Sequence, residues 1–247
     1  MALLRLVGTF IRTIAGYCLI FLIGPFFVIP CIVIAFLPEK YRRDNRLFFL
    51  LADKFYKLII YACFVPQRWI GLTNIPSGPV IFAANHQSSL DIPVVGALSK
   101  GYPHVWLVLE YYINTPIIGI FIRRMFVSVD RQNCTKAARS LIRVIQLVNK
   151  KNRNLIIFPE GGRFLDGKVH PFFEGFAIIA RKTGRPVIPV YMPNNRIIYP
   201  PTGFLVHYAP LIVVVGKPFV YDTHDTDELF TQRVRQWFLD QVALEHD

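Results

Sequence analysis

Acidic side chains are scarce in this chain, and so are the patterns that mark several common chemistries. Only 16 Asp and Glu stand against 28 Lys and Arg over 247 residues, a formal charge of +12. That imbalance points to an anionic partner such as lipid headgroups, phosphorylated small molecules or nucleic acid. Zinc-finger spacing and an RNA-recognition motif are both missing, so no nucleic acid is expected among the partners. The four cysteines, Cys18, Cys31, Cys63 and Cys134, are scattered without a C-x-x-C. Neither a disulfide framework nor a zinc site is expected from them. The absence of G-x-S-x-G removes support for a serine nucleophile, and the absence of H-E-x-x-H removes it for zinc hydrolysis. No metal is expected. Internal repeats and low-complexity tracts are also missing.

Apolar residues are abundant. They make up 53% of the chain, and the mean hydropathy is +0.39. These values exceed the usual soluble range and predict apolar surface in contact with lipid. From residue 13 to 38 no side chain is charged, a stretch long enough to cross a bilayer. Arg5 and Arg12 precede it, with no small-residue cleavage site to suggest a removed signal peptide. Pro25 and Pro30 interrupt it, and each removes a helical hydrogen bond. Lys40, Arg42, Arg43 and Arg46 follow. Basic residues on both sides place both ends on the cytoplasmic side, which predicts a re-entrant helical hairpin, with a single span as the alternative. Residues 47–64 mix Leu, Phe, Ile and Tyr with Asp53, Lys54 and Lys57. They read as an amphipathic helix, lying in the interface or against the body. Residues 1–67 are therefore expected to be membrane-associated helices.

Residues 68–247 alternate between short strands and helices. Strands are predicted at 80–84, 105–109, 126–129, 155–158, 187–191 and 211–215. Helices are predicted at 89–98, 135–149, 175–182 and 227–244. Such alternation implies an α/β fold, a mixed and mainly parallel sheet flanked by helices. Pro189 inside the 187–191 run predicts an edge strand or a bulge there.

Four strand-end clusters hold the residues that can do chemistry. Asn85-His86-Gln87-Ser88-Ser89-Leu90-Asp91 follows the apolar run 80–84. On a regular helix a five-residue step turns about 140°, so His86 and Asp91 would not share a face. They meet if His86 lies in the turn and Asp91 in the first helical turn. A carboxylate on one imidazole nitrogen leaves the other as a base. Taken alone, the pair reads first as a turn histidine and a helix-start carboxylate. Phe158-Pro159-Glu160-Gly161-Gly162-Arg163 follows the run 155–157. Its glycines allow close backbone approach, Arg163 offers a fork for phosphate oxygens, and Glu160 can accept from a substrate hydroxyl or hold a basic residue. Gly162 to Lys168 also spells a partial P-loop. Val169 stands where the magnesium hydroxyl belongs, so nucleotide hydrolysis is not expected. Pro116 and Gly119 lead to a strand ending in Asp130-Arg131. Ile188-Pro189-Val190 is the fourth cluster. His170, before Pro171-Phe172-Phe173, can line the site but reads first as structural.

Together these motifs, over residues 68–217, resemble the glycerolipid acyltransferase family, the group containing 1-acyl-glycerol-3-phosphate acyltransferases. N-H-x-x-x-x-D is met by Asn85, His86 and Asp91, and the Asp-Arg pair by Asp130 and Arg131. F-P-E-G-T-R-S is met by Phe158, Pro159, Glu160, Gly161 and Arg163, and the I-P-V strand by residues 188–190. The resemblance implies that His86 and Asp91 are catalytic, His86 as general base on an acceptor hydroxyl and Asp91 orienting it. The hydroxyl would attack the thioester of acyl-CoA or acyl carrier protein as co-substrate, with no other cofactor. Glu160, Gly161, Arg163, Arg131, Asn85 and Ser88 would bind substrate. The expected place is a membrane, with the site on its cytoplasmic face and membrane lipids and the lyso-lipid acceptor as partners.

The departures bear on the acceptor. Gly162 replaces the usual Thr and Phe164 the usual Ser. Phe173 and Glu174 stand where many phosphatidate-forming relatives carry an F-K-x-G lysine, and Glu110 where some relatives carry lysines. Lysophosphatidate is the first expectation. A zwitterionic lyso-lipid is the second, because a carboxylate near a phosphate dianion costs affinity. A silent lipid-binding protein and a thioesterase are the rivals of other classes.

Overall fold

The computed structural model describes residues 2–130, 132–164 and 166–244. Seven strands form one sheet: β1 (Gln67–Ile70), β2 (Ile81–Ala84), β3 (His104–Leu109), β4 (Val127–Val129), β5 (Asn154–Ile157), β6 (Val187–Tyr191) and β7 (Leu211–Val215). Their order is β1-β7-β6-β2-β5-β3-β4. β6, β2, β5, β3 and β4 run parallel, and β7 with β1 runs the other way at one edge. The three central strands are buried at every position and read as unbroken apolar runs, as a sheet covered on both faces requires. β7 alternates buried and half-buried residues, as its position near the edge requires.

On one face α3 (Arg46–Tyr61) and α4 (Asp91–Leu98) cover Phe82, Trp106 and Ile188. On the other, α6 (Cys134–Lys151), α7 (Gly175–Thr183) and α9 (Asp227–Ala243) cover Ile81, Ala83 and Leu155. Asn45, Asn133 and Thr226 cap α3, α6 and α9, each accepting from a backbone N–H three residues on. The predicted strands and helices fall on these elements. The short edge strand β1, α5 (Ile118–Met125) and α8 (Asn195–Ile198) lie outside the segments predicted from the sequence.

Pro189 sits in an interior strand, beside a bulge. Val187 exchanges backbone bonds with Phe219, whereas Val190 faces Val215, so one extra residue lies on the β7 side. By alternation along β6 the missing N–H of Pro189 faces this bulge, where no regular ladder bond is lost.

The apolar stretch does not double back, which corrects the re-entrant hairpin. It forms one helix, α1 (Ala2–Phe36), with Pro25 and Pro30 inside. Each proline removes one N–H, whereas a turn in apolar surroundings would strand several backbone groups. The hairpin partner is α3, reached through the short α2 (Glu39–Arg42) in the charged segment that follows.

Nor does α1 leave the body. Thr9, Thr13, Gly16, Gly24, Cys31 and Ala35 form a buried stripe at helical spacing along its length. Thr13 Oγ1 accepts from Val206 N–H at 2.9 Å near one end, and Arg124 lies 4.5 Å over the Phe36 ring at the other. The small residues face inward. Phe10, Ile14, Phe21, Phe26, Ile29 and Val33 face outward and are exposed.

Candidate active site

β2 and β5 are neighbours and parallel, so the two richest motifs leave the sheet side by side. After Ala84 the chain turns, and α4 starts at Asp91. The loop closes around the Asp91 carboxylate, which is fully buried. Oδ2 accepts from Gln87 N–H at 2.6 Å and Ser88 N–H at 2.7 Å, and lies 3.0 Å from His86 Nδ1. Oδ1 accepts from Asn195 Nδ2 at 2.8 Å. The four-residue spacing is thus the length of loop needed to wrap one carboxylate with its own N–H groups. With Nδ1–H donated to Asp91, Nε2 carries the lone pair, and it has no partner among the described residues. The His86 ring is 14% exposed. It stacks on Phe158, centroids 3.8 Å apart at 10°, so the first residue after β5 fixes the ring plane.

Glu160 is buried, and both its oxygens are engaged. Oε1 accepts from His86 N–H at 3.2 Å and Oε2 from His170 N–H at 3.0 Å. Burial pushes its carboxyl above the ordinary range, partly offset by those two donors. This geometry makes Glu160 a brace between the two loops. Gly161 adopts φ 67° and donates to Phe158 O at 2.9 Å, closing a turn that a side chain would strain. At Gly162 a Cβ would meet nothing nearer than the Phe164 ring at 3.8 Å, so the Thr of the family pattern would fit. Arg163 is half-buried, and its shielded Nε finds no partner among the described residues.

Asn85 and Ser88, expected to bind substrate, have their side chains engaged by backbone. Asn85 is buried and spans to β6, donating to Met192 O at 3.1 Å and accepting from Met192 N–H at 2.9 Å. Ser88 is also buried; its hydroxyl donates to Tyr199 O at 2.7 Å and accepts from Leu90 N–H. Their polar atoms are spent on backbone, which ties the 85–91 loop to the segment that follows β6. Arg131 lies outside the described residues. Its neighbour Asp130 is 3.2 Å from Lys136, whose hydrogen bond holds the carboxyl below the usual range. Lys136 also lies 3.8 Å from Glu110. Glu174 is exposed at the start of α7. Glu110 is therefore a paired charge, while Glu174 faces solvent.

Asn195 is a residue of the candidate site that the sequence motifs missed. It is fully buried, and its only signal is a position just beyond the end of β6. An apolar cavity of about 240 Å³ adjoins the loop, lined by Gly16, Tyr17 and Ile20 of α1, Cys63, Leu90 and Pro93.

A histidine–aspartate pair thus closes the loop after β2, beside the loop after the parallel strand β5 and next to an apolar cavity. The chain belongs to the Acyltransferase family, whose model matches residues 68–193. It is 33% identical over 185 residues to a chloroplastic 1-acyl-sn-glycerol-3-phosphate acyltransferase of Brassica napus, covering 73% of this chain and 52% of that protein. To one of Arabidopsis thaliana it is 32% identical over 219 residues, covering 87% and 59%. The chain thus spans little more than half the length of these curated relatives. Its fold is shared with the crystal structure of the 1-acyl-sn-glycerophosphate acyltransferase of Thermotoga maritima, TM-score 0.75 at 23% identity, covering 98% of both chains.

Proposed function

We propose that this chain is an O-acyltransferase working at a membrane surface. It moves a fatty acyl chain from acyl-CoA or acyl carrier protein to the free hydroxyl of a lyso-glycerolipid. The acceptor is 1-acyl-sn-glycerol-3-phosphate and the product phosphatidate. The observation that carries this reading is the His86 Nδ1–Asp91 contact of 3.0 Å with Nε2 left open. Nε2 takes the proton of the acceptor hydroxyl as its oxygen attacks the thioester carbonyl. The C–S bond then breaks, and the thiol leaves with the proton returned from His86. Base assistance of this kind is worth about 10²- to 10⁴-fold. The cavity between α1 and α4 receives the acyl chain. The outward apolar face of α1 supports residence at a membrane, with the site on the cytoplasmic face. The pairing of Glu110 with Lys136 weakens the case for a zwitterionic acceptor, and the named activity of the relatives supports lysophosphatidate.

His86→Ala is expected to lower acyl transfer by at least about 10²-fold, while circular dichroism and vesicle binding stay as in the wild type. The assay is thiol release from acyl-CoA with and without lysophosphatidate. Full turnover in the variant would remove the base mechanism. Thiol release independent of lyso-lipid would identify a thioesterase, and none in the wild type a silent lipid binder.

A further inference from the structure

Glu160 joins a second imidazole to the first, since its two oxygens hold the backbone N–H groups of His86 and His170. The two rings have matching surroundings. His170 stacks on Phe164, centroids 3.6 Å apart at 12°, as His86 does on Phe158. Its Nε2 lies 3.0 Å from both oxygens of Asp166, and its Nδ1 has no partner among the described residues. Arg163 begins the same loop. From the far side Arg196 lies across it: a Cβ on Gly167 would stand 2.8 Å from the guanidinium carbon. Arg196 directly follows Asn195, the residue bound to Asp91, and has no hydrogen-bond or ion-pair partner among the described residues.

We propose that His170 and Arg196 complete, with Arg163, a cradle for the phosphate oxygens of a substrate reacting at His86. The proposal rests on the acyl-transfer reading for the identity of that substrate. Phosphate oxygens favour several charge-assisted donors at once, and Arg presents a planar fork of them. The facing carboxylate, Asp166, is turned onto His170 and held below its usual range by that bond. The other charged groups about His170 are Glu160 on its N–H, Arg235 from α9 on its carbonyl, and Lys168 two residues away. Two substrates bring phosphate here: the lysophosphatidate headgroup and the CoA moiety.

The test compares the wild type with His170→Gln, Arg196→Gln and His170→Lys, each full-length, measuring kcat and the KM values for lysophosphatidate and acyl-CoA separately. Each Gln variant should raise one of the two KM values about tenfold, the worth of one charge-assisted bond, and leave kcat within about twofold. A rise for lysophosphatidate assigns the cradle to the acceptor, and a rise for acyl-CoA to the donor. His170→Lys should restore the wild-type KM. Two unchanged KM values, or a loss of kcat alone, would overturn the cradle. A wild type that ignores lysophosphatidate but acylates another lyso-lipid refutes the acceptor named above, and the acyl-CoA KM then decides the cradle by itself.

Discussion

The Asp91 carboxylate is supported from two strand ends at once. Its own loop supplies two N–H groups and His86, and Asn195 arrives from beyond β6. Asn195 thus acts through Asp91 as a positioning residue. Asn195→Leu would leave Oδ1 buried without its donor, at a cost of roughly 1.5–3 kcal/mol for a bond to a charged group. If that support is needed in the transition state, kcat falls about tenfold or more. The expected result is a loss in kcat with the lyso-lipid KM little changed, read by steady-state kinetics beside a thermal melt. A KM effect with kcat intact would argue that Asn195 serves substrate binding.

At the scale of elements, the Pro116–Gly119 motif builds structure. Ile118 N–H donates to Pro116 O at 2.6 Å across Ile117, which is held at φ 60° and ψ −60°. This tight γ-turn starts α5, which meets the end of α1 where Arg124 Nη1 donates to Ala35 O at 3.4 Å, and meets α2 where Arg42 Nε donates to Arg124 O at 3.1 Å. A Cβ at Gly119 would collide with the Ile113 carbonyl. Gly119→Ala is expected to destabilise by about 1–3 kcal/mol, the usual range for overpacking a tight contact. A denaturant titration measures it. An unchanged midpoint would mean that the turn relaxes freely.

At the scale of the whole molecule, α1 reverses the usual amphipathic order, with small residues inward and large apolar ones outward. Phe21 is 79% and Phe26 74% exposed, so changing them leaves the core untouched. Burying a Phe in an apolar phase is worth about 1.5–3 kcal/mol. The double variant Phe21→Ser with Phe26→Ser is expected to weaken vesicle co-sedimentation at least tenfold, with the melting temperature preserved. Unchanged sedimentation would place the lipid contact elsewhere. The same arrangement shows what could be read in advance. The apolar strands, the long helices and the His86–Asp91 pair were legible, because each is set by a repeat or spacing within about 20 residues of chain. The family motifs carried the kinship for the same reason. The inward turn of Asn85 and Ser88, the bracing role of Glu160, the reach of Asn195 to Asp91 and the approach of Arg196 to Gly167 were not. Nor was the lie of α1 along the body, where length and apolarity alone fit a hairpin or a span. The links of the 85–91 loop to Glu160 and to Met192 join residues far apart in the chain, and depend on β2 lying between β5 and β6. Local sequence patterns specify which segments become strands; the order in which the strands pack is decided only when the two faces of the sheet are buried together.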